Sequence, residues 1–274
     1  MKNYNKGPLV SIIITNYNKS NYLLDSIKSC LKQNYKKKEI IFFDDKSTDD
    51  SLKKIKNFKR KNKCKFDIIS NSNKKNNFAT FNHIFAIQKS LLKAKGKYIF
   101  LLDSDDYFHQ NKLNEIIKKF EKNKTYKFIL DQPMIKFKKK IIKKEFQYKF
   151  SKNKWPKFPP TSCMCFEKKT LKNAINKISS KKFPTLAVDF RLAVYYSLII
   201  KKFHIHKSHL TFYRHVEESM DSKYRLKYRS KEWWKRRQEA FDFLNMILSK
   251  NKLPINKGLD FFVTKLFNKV LHIK

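Results

Sequence analysis

The chain has 274 residues, with 64 Lys and Arg against 23 Asp and Glu, a formal net charge of +41. A chain this long can bury a full core without disulfides, and its four cysteines, of which only Cys163 and Cys165 are close, exclude a metal finger. No apolar run reaches the ~18 residues of a membrane span, and no leader-type cleavage site follows Leu9–Ile14, so a reduced, cytoplasmic protein is expected. The charge raises nucleic acid or an anionic membrane surface as partners. However, Arg occurs only at Arg60, Arg191, Arg214, Arg225, Arg229, Arg236 and Arg237. Because bidentate phosphate and base recognition favours Arg over Lys, no specific nucleic acid is expected. An AT-rich coding bias accounts for the abundance of Lys, Asn, Ile and Phe.

In chain order, Leu9–Ile14 reads as a strand ending in the polar Thr15-Asn16-Tyr17-Asn18, and Leu23, Leu24, Ile27 and Leu31 follow at helical spacing with Ser20 as cap. Glu39–Phe43 is a second strand stopping at Asp44-Asp45, before a helix with Leu52, Ile55 and Phe58 capped by Ser47 or Thr48. Phe66–Ile69 is a third strand, and a polar loop from Ser70 to Asn77 leads to a helix with Phe81, Ile84, Phe85 and Leu91. Tyr98–Leu102 is continuously apolar, as a parallel strand covered on both faces requires, and runs into Asp103-Ser104-Asp105-Asp106. A helix with Leu113, Ile116, Ile117 and Phe120 closes the series. This alternation predicts βαβ units and a mostly parallel sheet over the first ~130 residues, whose polar strand ends lie where such sheets bind ligands.

Three carboxylates within four positions repel one another unless a cation lies between them. Hard oxygen donors without His or Cys suit Mg²⁺ or Mn²⁺, commonly shared with a phosphate. The alternative is an acidic turn capping the next helix.

Residues 127–150 are basic and extended with irregular alternation, and Trp155–Pro160 is a Pro-rich loop. Thr161–Phe166 reads as a strand, Lys168–Ile178 as a helix, Phe190–Ile200 as a mostly apolar helix after Asp189, and Leu210–Tyr213 as a last strand. Beyond Glu217 the chain turns basic and aromatic, with Tyr224, Tyr228, Trp233 and Trp234. Leu259, Phe262, Val263, Leu266, Phe267, Val270 and Leu271 then form a helical stripe.

Three phrases in this order, VSIIITNYN at Val10–Asn18, EIIFFDDKSTDD at Glu39–Asp50 and GKYIFLLDSDD at Gly96–Asp106, resemble family 2 glycosyltransferases with the GT-A fold, over residues 8–215. The resemblance implies an α/β fold with a Rossmann-like, mostly parallel central sheet flanked by helices. Residues 1–215 would form the GT-A domain, with 1–130 the nucleotide-binding half and 131–215 the acceptor half. Residues 216–274 would be a basic, aromatic, helical C-terminal extension.

It further implies a metal-dependent inverting transferase. A nucleotide-diphosphate sugar donor, a Mn²⁺ or Mg²⁺ ion and a hydroxyl of a glycan or glycolipid acceptor would meet in one site, building a surface polysaccharide or lipooligosaccharide. UDP is favoured over GDP or a CMP sugar because Thr15 and Asp45 resemble the pattern of uridine binders. By position, Thr15 and Tyr17 would border the base, and Asp45, with Asp44 beside it, would accept hydrogen bonds from it. Lys46 stands where the family often has Gly or Asn, which puts the form of this turn in doubt. Asp103 and Asp105 would bind the nucleotide, with Asp105 or Asp106 on the metal and the coordinating oxygen unassigned. His215 would complete the metal shell, and Arg214 would neutralise phosphate charge.

The resemblance makes Asp189 the base that takes the acceptor proton, while an N-cap with Arg191 as its ion partner is the alternative. Thr161 and Ser162 would lie on the acceptor side, where Trp155 stacks on a sugar or packs in the core. The family's Arg-Asn before the Gly of the carboxylate strand is missing. Asn77–Asn82 lies further upstream, and Lys74 or Lys75 could substitute. Trp233, Ala240, Leu244 and Leu248, ringed by Lys235, Arg236 and Arg237, would either lie on the inner face of the cytoplasmic membrane or serve core packing or a homodimer.

Three other readings compete. A nucleotidyltransferase would need a Gly-rich phosphate loop, and the chain has only three glycines. A basic nucleic-acid-binding protein leaves the acidic strand ends unexplained. A non-catalytic sugar-nucleotide-binding relative is the third.

Overall fold

The computed structural model describes residues 7–73, 76–137, 140–146, 158–216, 227–255 and 257–272. In its first half, the Ile- and Phe-rich β1 (Val10–Asn16) and β2 (Lys38–Asp44) pair in parallel, with β3 (Asp67–Ser70) outside β2 and β4 (Tyr98–Asp103) on the other side of β1. Alternate side chains of a strand point to opposite faces. Ile12, Ile14, Phe42, Phe100 and Leu102 accordingly pack under α1 (Leu23–Leu31), α2 (Ser51–Lys61) and α4 (Lys112–Lys122). Ile13, Ile41, Ile99 and Leu101 face the opposite way, under α3 (Ala79–Lys93). Both faces are covered, which is why these strands read as continuous apolar runs.

The second half adds β5 (Tyr107–Phe108), β6 (Phe128–Phe137), β7 (Lys140–Lys143), β8 (Met164–Glu167) and β9 (Phe203–Arg214). The sheet runs β3-β2-β1-β4-β8-β6-β9-β5, with β7 paired to β6. β8 is antiparallel to β4 and joins the parallel half to the mixed half. Four helices complete the chain: α5 (Lys168–Ile178), α6 (Val188–Tyr195) continuing into a π turn at Tyr196–Ile200, α7 (Lys231–Lys250) and α8 (Leu259–His272). No helix among the described residues is long and apolar enough to cross a membrane.

Several elements differ from the sequence reading. The irregular stretch after Lys127 contains a ten-residue strand, β6, whose buried Asp131-Gln132-Pro133 breaks the alternation. Its pairing with β9 shifts register there, the mark of a bulge. Thr161–Cys163 is a 3₁₀ turn, so that strand begins only at Met164. β9 spans twelve residues rather than the four of Leu210–Tyr213. The α7 face offered to a bilayer is core instead, because Ala240, Phe243, Leu244, Ile247 and Leu248 are buried in one cluster with residues of α3, α5 and α6.

The end of the sheet opposite the polar strand ends is pinned by Glu39. Its Oε1 accepts from Ser11 Oγ (2.6 Å) and from the Lys95 and Gly96 amides (2.5 and 3.1 Å), and Gly96 N also donates to Ser11 Oγ at 2.8 Å. A Cβ on Gly96 would lie 2.4 Å from the Ser11 backbone nitrogen, so the approach of β4 to β1 requires glycine. Gly96→Ala is expected to lower the unfolding free energy by about 2 kcal/mol or more in a denaturant titration. A change within about 0.5 kcal/mol would contradict this packing.

Candidate active site

The parallel register sets Asn16 beside Asp44 and Thr15 beside Asp103, so the polar ends of β1, β2 and β4 finish at one level. They open into a cleft of about 660 Å³ lined by Thr15, Tyr17, Asp45, Asp103, Asp105, Thr161, Asp189 and Arg214, among others. These residues come from both halves of the sheet.

Asp44 and Asp45 have separate tasks. Asp44 is fully buried and accepts from Asn16 Nδ2 (2.8 Å), Ser47 N (3.0 Å) and Ser47 Oγ (2.7 Å). It closes the turn after β2 and does not line the cleft, so of the two acids only Asp45 reaches it. Lys46 in that turn has φ 57°, so the left-handed backbone that Gly or Asn would favour is kept by a lysine. Asp45 lines the cleft, held by Asn71 Nδ2 at 2.7 Å. Beside it, the buried Asn16 Oδ1 has no hydrogen-bond partner among the described residues.

Each carboxylate after β4 has its own compensation. Asp103 Oδ1 accepts from Thr15 Oγ1 at 3.2 Å and lies 3.4 Å from His83 Nε2. Burial, with Asp105 adding to it, pushes the Asp103 carboxyl up to about 7, and burial lowers the His83 imidazole. Asp105 Oδ2 lies 3.2 Å from the Lys19 ammonium. Asp106 is buried behind the cleft rather than lining it. Its Oδ2 accepts from Ser162 Oγ (2.6 Å) and its Oδ1 from Arg214 N (2.8 Å). Burial and the two neighbouring acids raise its carboxyl well above the carboxylate range. Ser162 also accepts from the Asp103 amide at 3.0 Å, so it braces the acidic loop rather than facing the cleft.

Asp103 and Asp105 supply the hard oxygen donors that a divalent cation prefers, and an ammonium already neighbours Asp105. The described residues contain no group of three or more His, Cys, Asp or Glu able to hold a metal. A six-coordinate ion would therefore draw its remaining ligands from water and diphosphate oxygens. His215 is not brought to this point. It is exposed and packs its ring on Phe137 at 5.6 Å. Arg214 does line the cleft, held between the rings of Tyr22 and Tyr107 with Nη2 on Asp25 Oδ2.

Asp189 lies in the first turn of α6, whose N-cap is Ala187. Arg191 is not its ion partner. It is fully buried, gives Nε to Leu186 O (3.0 Å) and Nη1 to Ile178 O (2.6 Å) and Ser180 O (2.9 Å), and reaches Phe183 O through Nη2. Those bonds hold the loop that delivers Asp189 to the cleft. Trp155, Lys74 and Lys75 lie outside the described residues.

His83, Lys19 and Asn76 line the cleft without having been singled out in the sequence for it, and Asn77 and Asn82 of the upstream polar group line it too. Asn82 clamps the loop before α3, giving Nδ2 to Asn76 O and accepting from Asn76 N, both at 2.8 Å. The available signal was the start of α3 directly after a polar loop, which turns its first residues toward the strand ends.

Because the folded Asp103 binds its proton more tightly than an unfolded Asp, it lowers stability increasingly from about pH 4 to pH 7 and fully above. Metal-free Asp103→Asn should therefore exceed wild type in Tm by more at pH 8 than at pH 4. An equal difference at both pH values would contradict this electrostatic account.

Comparison with known proteins agrees with this architecture. A family model described as glycosyl transferase family 2 matches residues 11–180. The chain is 37% identical over 118 residues to the Escherichia coli UDP-Glc:alpha-D-GlcNAc-diphosphoundecaprenol beta-1,3-glucosyltransferase WfaP, covering 43% of each chain. It spans less than half the length of WfaP and of curated relatives from Bacillus subtilis and Haemophilus influenzae. Among solved structures it superposes on S. aureus TarS with UDP-GlcNAc at TM-score 0.59 and 16% identity, covering 88% of this chain and 73% of that one. The mannosyltransferase PcManGT from Pyrobaculum calidifontis with GDP-Man and Mn²⁺ superposes at TM-score 0.64 and 12% identity, covering 92% and 67%. The fold is GT-A, and the chain belongs to glycosyl transferase family 2.

Proposed function

We propose that this chain is a metal-dependent inverting glycosyltransferase that moves a sugar from a UDP-sugar to a hydroxyl of a glycan or glycolipid. The observation that carries the reading is the meeting of Asp45, Asp103, Asp105, Arg214 and Asp189 around a single cleft of about 660 Å³. Residues 1–215 would act as the catalytic unit, with 216–274 as an extension whose α7 completes the core. The acceptor's chemistry would bring the enzyme to the cytoplasmic face of a membrane. WfaP's name includes a UDP-sugar donor and a lipid-diphosphate acceptor, and TarS holds UDP-GlcNAc, which supports this choice of substrates.

In this reading Asp45 and the unpartnered Asn16 Oδ1 accept hydrogen bonds from the base, beside Thr15 and Tyr17. Asp103 and Asp105 would hold a Mn²⁺ or Mg²⁺ ion, which would supply Lewis-acid stabilisation of the leaving diphosphate. Lys19 and Arg214 add positive charge on the same side. Thr161 borders the acceptor. Asp189 takes the proton of the acceptor hydroxyl as its oxygen bonds to the anomeric carbon, and the bond from that carbon to the diphosphate breaks on the opposite face, inverting the configuration.

Asp189→Asn should lower kcat about 100-fold or more, while calorimetry finds nucleotide affinity unchanged. Turnover within threefold of wild type would remove Asp189 as the base.

A further inference from the structure

α8 is amphipathic the wrong way round for a core helix. Its packed side mixes polar and aromatic contacts with α7, and Phe267 stacks on Trp234 at 4.4 Å. Thr264 Oγ1 accepts from Arg237 Nε at 2.9 Å, Asn268 Nδ2 donates to Trp234 O at 2.8 Å, and Phe261 meets Phe241 edge-on. At about 3.6 residues per turn, Leu259, Phe262, Leu266 and Val270 fall on the side opposite Phe261, Thr264 and Asn268. They are 80%, 54%, 60% and 54% exposed. A patch of this kind on a soluble chain marks a docking surface.

Charge identifies the occupant. Exposed Lys265 and Lys269 run along one edge of the stripe, and exposed Lys250, Lys252 and Lys257 lie in the approach to it. The one carboxylate of α8, Asp260, is paired with Arg237 at 2.9 Å. A second copy would bring two chains of +41 together. An apolar helical face bordered by lysines instead complements an anionic bilayer, with the apolar side chains in the acyl boundary and the ammonium groups at the headgroups.

We propose that the outward face of α8 docks the protein on anionic lipid, with α8 lying in the plane of the interface. The proposal deepens the functional reading above and rests on it only for the purpose of membrane contact. No residue of α8 lines the cleft, so docking and nucleotide binding are separable.

The test is flotation of the full chain with phosphatidylcholine vesicles and with equimolar phosphatidylcholine–phosphatidylglycerol vesicles, for wild type and for Leu259→Ser/Leu266→Ser. The variant keeps every charge, so it separates apolar insertion from lysine attraction. Wild type should float with the anionic vesicles only, and the variant should bind them about tenfold or more weakly, with unaltered Tm and UDP–Mn²⁺ affinity. If the pair lowers Tm, Leu266→Ser alone gives the same reading. Equal binding by wild type and variant, or wild type that ignores anionic vesicles, would overturn the proposal. So would a concentration-dependent wild-type dimer that the variant dissolves, which would assign the face to a second copy. Loss of UDP–Mn²⁺ binding in wild type would count against the functional reading and leave the docking result standing.

Discussion

Asp103, Asp105 and Asp106 leave a strand covered on both faces, and placing three carboxylates there sets the terms for everything near them. Isolated buried carboxylates would protonate or force the loop into solvent. The structure gives each a different answer. Asp103 meets Thr15 and His83, Asp105 meets Lys19, and Asp106 meets Ser162 and the Arg214 amide. These partners come from β1, the loop after it, α3, the 3₁₀ turn before β8, and β9, so the acidic loop ties the two halves of the sheet together. Asp103 and Asp105 are the two that also line the cleft, where a divalent cation would meet both carboxylates.

Two fully buried cations hold the second half in place. The three ammonium hydrogens of Lys112 find three acceptors: Asp131 Oδ1 at 2.7 Å, Ser162 O at 2.6 Å and Thr211 Oγ1 at 2.6 Å. Asp131 Oδ2 takes the Thr211 hydroxyl at 2.7 Å. With this donor and acceptor balance the pair is satisfied without water, and it fixes Ser162 from behind while Ser162 fixes Asp103 and Asp106. Arg191 does the corresponding work for Asp189 by bonding the last carbonyl of α5 and three carbonyls of the loop that follows it.

The parallel half was legible because burial on both faces leaves a plain trace, apolar runs cut off by acids, and Gly96 marks where β4 starts. Thr15, Asp45, Asp103 and Asp105 were legible as cleft residues for the same reason, whereas Asp189, at the start of α6, was legible only through the family resemblance. The mixed half was not, because β6 buries Asp131, Gln132 and Pro133 at a bulge, and period alone cannot find a strand whose polar residues face inward. Lys112 was hidden among 64 Lys and Arg, where only the fold separates a buried ammonium from solvated ones. Asp106 and Asp44 look equivalent to their neighbours in sequence; Asp106 is turned away from the cleft by residues 56 and 108 positions distant, and Asp44 by Asn16, 28 positions distant, together with the nearby Ser47. The apolar stripe of α8 was legible as a helical repeat, but that Leu259, Phe262, Leu266 and Val270 turn outward while Phe267 stacks on Trp234 depends on α7.

The central claim is that the acids after β4 hold a cation shared with a nucleoside diphosphate. Calorimetric titration of UDP into wild type and Asp105→Asn, each with Mn²⁺ or with EDTA, tests it most directly. The account predicts binding by wild type with Mn²⁺ that disappears with EDTA and in Asp105→Asn. UDP binding of equal strength in all four titrations, or in none, would contradict it.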